Sequence, residues 1–86
     1  MEIKLKWRKY NTNIEETKAV KKALAKIGQS KAKVRHGKGM GSGWLKVYIP
    51  KQPGNFFDNL MYFTKFLMEV TERSGEYDGR IQIIFI

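Results

Sequence analysis

The chain has no cysteine and a single histidine, His36. That excludes disulfide scaffolds, thiolate metal centres and a histidine cluster for a transition metal. Acidic residues are scarce, with 8 Asp+Glu against 17 Lys+Arg and a formal net charge of +9. A field of that sign draws in polyanions but says nothing about fold. No apolar run approaches the length of a membrane span, and no signal-peptide core follows the charged N-terminus. The expected location is therefore the cytoplasm, of a cell or of an infected host. Eighty-six residues make a single domain, 1–86, with one modest core and no room for a cofactor domain beside a substrate domain. No Ser/His/Asp, Cys/His or paired-carboxylate spacing stands out, so neither catalysis nor a cofactor is expected.

The chain does have positive charge on alternate residues, interleaved with aromatic rings. In Met1–Tyr10, Ile3, Leu5 and Trp7 alternate with Lys4, Lys6, Arg8 and Tyr10. In Lys31–His36, Ala32 and Val34 alternate with Lys31, Lys33 and Arg35. In Trp44–Ile49, Leu45, Val47 and Ile49 alternate with Trp44, Lys46 and Tyr48. Successive side chains of a strand point to opposite faces, so each segment buries one row and exposes the other. A shared sheet then carries Lys4, Lys6, Arg8, Tyr10, Lys33, Arg35, Trp44, Lys46 and Tyr48 on its open face. Cations neutralise phosphates and rings stack on unpaired bases, the two demands of single-stranded nucleic acid. The competing reading is a solvated face, or one that contacts a protein. The near absence of carboxylates from these rows and the two large rings weigh against simple solvation.

Two helices complete the pattern. Asn13 followed by Glu16 reads as an N-cap with its capping-box partner, opening a helix near Ile14. Val20, Leu24 and Ile27 form its apolar stripe, Lys18, Lys22 and Lys26 a basic one, and Gly28 suits the C′ position. Asn55 caps a second helix on which Phe56, Leu60, Phe63, Leu67 and Val70 step along one face. Phe57, Tyr62, Phe66 and Met68 make that helix more apolar than one core stripe requires; packing under loops is the favoured reading, a homodimer or protein-target surface the second. Arg80–Ile86 reads as a final strand. The order β-α-β-β-α-β predicts an α+β, ferredoxin-like fold, two helices on one face of a four-stranded, mainly antiparallel sheet. Right-handed crossovers place its first and third strands at the centre.

The remaining motifs are weaker. The loop Gly37–Gly43 lacks the Walker A spacing and the dinucleotide fingerprint, since Ser42 stands where a third glycine would fall. Bare amides beside Arg35, His36 and Lys38 suit a phosphate, which adds Lys38 to the candidate site; a loop that holds no ligand is the equal alternative. Alternation puts His36 on the buried side with Val34, or at the frayed end of the strand, leaving a small ribonuclease as the least favoured function. Glu69, Glu72, Glu76 and Asp78 read as solvated charge rather than a metal site.

Ser42–Ile49 resembles, in layout, the third-strand motif of RNA recognition motifs, through Gly43, Trp44 and Val47. It departs at Lys46, where that family has a second stacking aromatic, at Ser42, where it has Lys or Arg, and at Leu45, a small residue in the family. Tyr10 also falls at the end of its strand rather than within a first-strand motif. Residues 15–86, through Lys31–His36, the Gly/Ser-rich loop and Gly75–Arg80, resemble the large polyvalent protein-associated domains of phages and mobile elements. That resemblance implies a mobile-element setting, where a blocker of a host nucleoprotein defence complex is an alternative function. The expected partner is RNA or single-stranded DNA, with a homodimer or a protein target through the second helix as the alternative.

Overall fold

The computed structural model describes residues 8–37, 43–73 and 80–86. In chain order these form α1 (Asn13–Lys26), β1 (Lys33–His36), β2 (Leu45–Ile49), α2 (Phe56–Thr71) and β3 (Ile81–Phe85). The cap of α1 sits one residue earlier than the sequence suggests. Thr12 is the N-cap, and its hydroxyl accepts from the Glu15 amide at 3.1 Å. Glu15 therefore takes the first-turn position beside the helix dipole, while Glu16 turns inward with Val20 and Leu24.

Gly28 ends α1 as expected. It has φ +84°, its amide reaches Ala25 O at 3.1 Å, and the Gln29 amide reaches back to Leu24 O at 2.8 Å. This paired 5→2 and 6→1 bonding is a Schellman motif, which needs a left-handed C′ residue. Gly28→Ala is expected to destabilise the chain by about 1 kcal/mol through that φ alone, because nothing crowds the position. Urea denaturation of the variant measures it, and an unchanged midpoint would contradict the assignment.

The sheet order corrects the ferredoxin-like expectation. Among the described residues the sheet has three strands in the order β1-β2-β3. β1 pairs antiparallel with β2, while β3 pairs directly and in parallel with β2, Leu45 opposite Ile81 through Ile49 opposite Phe85. In the ferredoxin-like arrangement the first strand would lie between those two. Here β3 occupies that place, so among the described residues β2 is the central strand and no strand can be inserted beside it. Residues 1–7 of the expected first strand lie outside the described residues. Its end does not form a strand, because Arg8 and Lys9 bend and the Lys9 amide donates to Thr71 O at 2.7 Å, at the end of α2.

The helices cover one face. Val20 and Leu24 of α1, Phe63 and Leu67 of α2, Val34 of β1, Leu45, Val47 and Ile49 of β2, and Ile81 and Ile83 of β3 form the core. Each such side chain contributes roughly 1.5–3 kcal/mol of apolar burial. Asn55 caps α2 as expected, its side chain accepting from the Phe57 and Asp58 amides. The buried line of α2 runs Phe63, Leu67, Thr71, whereas Phe56 at its start is exposed. Among the described residues no helix is long and apolar enough to cross a membrane.

Candidate nucleic-acid interface

The uncovered face of the sheet is built by register. Leu45, Val47 and Ile49 turn towards the helices and are fully buried, so Lys46 and Tyr48 turn away from them. Cross-strand pairing puts Lys33, Tyr48 and Ile84 in one rung and Arg35, Lys46 and Gln82 in the next. The Gly37 amide donates to Trp44 O at 3.0 Å, which continues the ladder by one residue and brings Trp44 to the same face. The two rings thus flank a polar rung, about 13 Å apart along β2 at the usual rise per residue. A shallow concavity of about 410 Å³ is lined by Trp44, Lys46, Ile81 and Gln82.

Of the sequence-derived candidates, Lys33, Arg35, Trp44, Lys46 and Tyr48 come together on this face. Lys4, Lys6 and Lys38 lie outside the described residues. Arg8 and Tyr10 do not join the sheet, since no strand forms at their positions. The Arg8 guanidinium instead bonds Asn13 Oδ1 at 2.8 Å and Glu16 Oε1 at 2.9 Å. Tyr10 lies beside Lys9, whose ammonium is 5.6 Å from its ring centre. Arg80 was missed. It is exposed and reaches within 2.7 Å of where a Cβ on Gly43 would stand, adding a cation near Trp44. The signal was present, because Arg80, Gln82 and Ile84 alternate with the apolar row of the last strand.

Among the described residues, negative charge is confined to the helix layer. Every described carboxylate side chain belongs to a helix or its cap, namely Glu15, Glu16, Asp58, Glu69 and Glu72. Among the described residues the open face carries cations, rings, an amide and an isoleucine, with no acidic side chain to repel a phosphate. Among the described residues no group of His, Asp or Glu is placed to hold a metal ion.

A second constellation lies under the other face and leaves no local mark in the sequence. Glu16 is fully buried, and Oε1 accepts from His36 Nε2 at 2.7 Å and from Arg73 Nη2 at 2.6 Å. Arg73 Nε donates to Oε2 at 2.8 Å. The carboxylate only accepts, so Nε2 donates to it, and Nδ1 lies 3.3 Å from the Thr17 hydroxyl. Hydroxyl, imidazole and carboxylate stand in the order of a proton relay. The carboxylate charge, however, is already neutralised by two guanidiniums, and the His36 side chain is only 8% exposed. The network acts as a clamp that ties α1 to β1 and to the chain leaving α2.

Burial by itself raises the Glu16 pKa. Hydrogen bonds from Arg73 and His36, with the charges of Arg73 and Arg8, outweigh it and hold the carboxyl below its ordinary value of 4.5. A depressed carboxylate stabilises the fold fully above the unfolded pKa and loses that contribution as pH falls through the folded value. Unfolding free energy is therefore expected to decline below about pH 4.5, where only the unfolded chain takes up the Glu16 proton. Urea titrations from pH 7 to pH 3 check this, with Glu16→Gln as reference. An equally steep acid decline in that variant would assign the effect elsewhere.

No protein-family model, curated protein or solved structure matches the chain.

Proposed function

We propose that this protein binds single-stranded nucleic acid, RNA or single-stranded DNA, on the open face of its sheet. The observation that carries the reading is the register that sets Trp44 and Tyr48 on either side of the Arg35–Lys46–Gln82 rung, with no acidic side chain among the described residues of that face. Charge is graded across the strands. β1 presents Lys33 and Arg35, β2 presents ring, lysine and ring, and β3 presents Gln82 and Ile84. A strand lying along β2 keeps its phosphates towards β1 and lays its bases over β2 and β3. Unstacked bases suit flat aromatic faces, whereas a duplex hides its base faces in its own stack. The protein works as a binding module rather than an enzyme, in the cytoplasm of a cell or of an infected host.

Fluorescence anisotropy of labelled single-stranded RNA, single-stranded DNA and duplex DNA at several salt concentrations tests the reading. Binding is expected to favour single strands and to weaken with salt. Neutralising Lys33, Arg35 or Lys46 with glutamine is expected to lower the log–log salt slope by about 0.7 for each phosphate left without its cation. Absence of binding at low salt, or a slope indifferent to all three, would sink it.

A second reading, a protein-interaction module such as a blocker of a host nucleoprotein complex, draws on α2. Phe57 is 70% exposed there and Met61 55%. Loss of partner capture on Phe57→Glu, with nucleic-acid affinity intact, would favour that reading.

A further inference from the structure

The open face leaves one side of the molecule unexplained. β3 has β2 on one flank and, among the described residues, no strand on the other. Its hydrogen-bonding direction follows from the end of the ladder. The Ile86 amide donates to Ile49 O at 2.9 Å, and Ile86 O accepts from the Lys51 amide at 3.0 Å. Backbone groups of a strand alternate in direction, so Gln82, Ile84 and Ile86 face β2, while Ile81, Ile83 and Phe85 direct theirs outward. Above this edge, α2 and β3 enclose an apolar groove of about 600 Å³, lined by Phe57, Leu60, Met61 and Met68 among others. Among the described residues, Lys65 is the only charged one in its lining.

Charge and register together identify the occupant. Sheet edges are ordinarily guarded by lysine, proline or a bulge. In a chain with 17 Lys+Arg, the run from Ile81 to Ile86 carries no charged side chain at all. Two copies at +9 repel one another least across a surface with little charge, and this edge, with Lys65 in its groove, is such a surface. We infer that β3 pairs antiparallel with β3 of a second copy about a two-fold axis at Ile83. Ile83 then faces the partner's Ile83, and Ile81 faces the partner's Phe85. That register sets all the outward-pointing amides and carbonyls opposite one another as hydrogen-bonded pairs. It also preserves side-chain parity, so Ile81, Ile83 and Phe85 of both copies lie on the helix side, and the two grooves beside Met61 and Met68 adjoin across the axis. The interface is isologous and closes at a dimer. It joins two sheets, of three described strands each, into one layer and does not depend on whether the open face binds nucleic acid.

Sedimentation velocity of the full chain without nucleic acid, over a concentration series, is the first test. A dimer that accumulates with concentration is expected. Met61→Glu, at an exposed position outside the core, is expected to shift the midpoint to at least tenfold higher protein concentration with an unchanged circular dichroism spectrum. Hydrogen exchange provides a readout that needs no variant, since the Ile83 amide is expected to exchange more slowly as concentration rises. A monomer at every concentration would overturn the proposal, as would association indifferent to Met61→Glu. Equal protection of the Ile83 amide in the dilute monomer would overturn it too, because the edge would then be covered within one chain.

Discussion

Replacing Arg73 with alanine is expected to destabilise the fold by about 3–5 kcal/mol, the usual cost of removing one member of a buried ion pair. The Arg73 side chain is fully buried and grips both oxygens of Glu16, Nε to Oε2 at 2.8 Å and Nη2 to Oε1 at 2.6 Å. Its Nη1 donates to Gly43 O at 2.8 Å and, more weakly, to Arg80 O at 3.4 Å. Alanine would leave a buried carboxylate with less compensation, remove a donor from those carbonyls and open a cavity. Lysine would keep the charge but not the two-pronged geometry, so Arg73→Lys is expected to recover only part of the loss. Replacing Glu16 and Arg73 together with apolar residues of similar volume should cost far less than either alone, because no charge is stranded. Urea unfolding of the two singles and the double yields the coupling directly. A loss below about 1 kcal/mol for Arg73→Ala would place the pair in the class of weak surface bridges. The effect extends beyond stability. Gly43 and Arg80 immediately precede Trp44 and Ile81, so one guanidinium ties together the starts of two parallel strands and the Trp44 end of the open face.

Removing both rings, Trp44→Ala with Tyr48→Ala, is expected to weaken single-strand binding by at least about thirtyfold. Stacking of one base on an aromatic ring is worth roughly 1–3 kcal/mol, so two contribute about 2–6 kcal/mol. The rings lie about 13 Å apart on one strand, far enough for their losses to add within a few tenths of a kcal/mol. Both are half-buried on the face away from the core, so the fold is expected to survive, which circular dichroism checks. The salt slope should hardly change, because the phosphate-neutralising cations remain. That separates stacking from charge. An affinity indifferent to both rings, with a steep salt slope, would reduce the site to a basic patch.

The elements themselves are largely legible from local chemistry. The caps at Asn55 and Gly28, the alternation in Lys33–His36 and Leu45–Ile49, and the apolar row Ile81, Ile83, Phe85 all rest on periodicity and turn residues, which operate within a few residues of chain. That same alternation assigns Lys33, Arg35, Trp44, Lys46 and Tyr48 to one side of their strands. It also assigns a strand to Arg8–Tyr10, where none forms. There the Arg8 guanidinium finds Asn13 and Glu16, and the Lys9 amide finds the end of α2, partners that alternation cannot reveal.

Which strands become neighbours is a different kind of information. A parallel partner for β2 lies across the whole of α2, and nothing in the local pattern says that β3 rather than an earlier segment takes the place beside it. Glu16 shows the same limit at the level of one side chain. By spacing it reads as a capping-box glutamate, yet its ion-pair partner Arg73 stands 57 residues away. The helices, the two-sided strands and the sign of the charge follow from residue order alone, because propensity, capping and period act locally. Strand order and the buried carboxylate clamp do not, because they depend on which distant groups meet when the core closes.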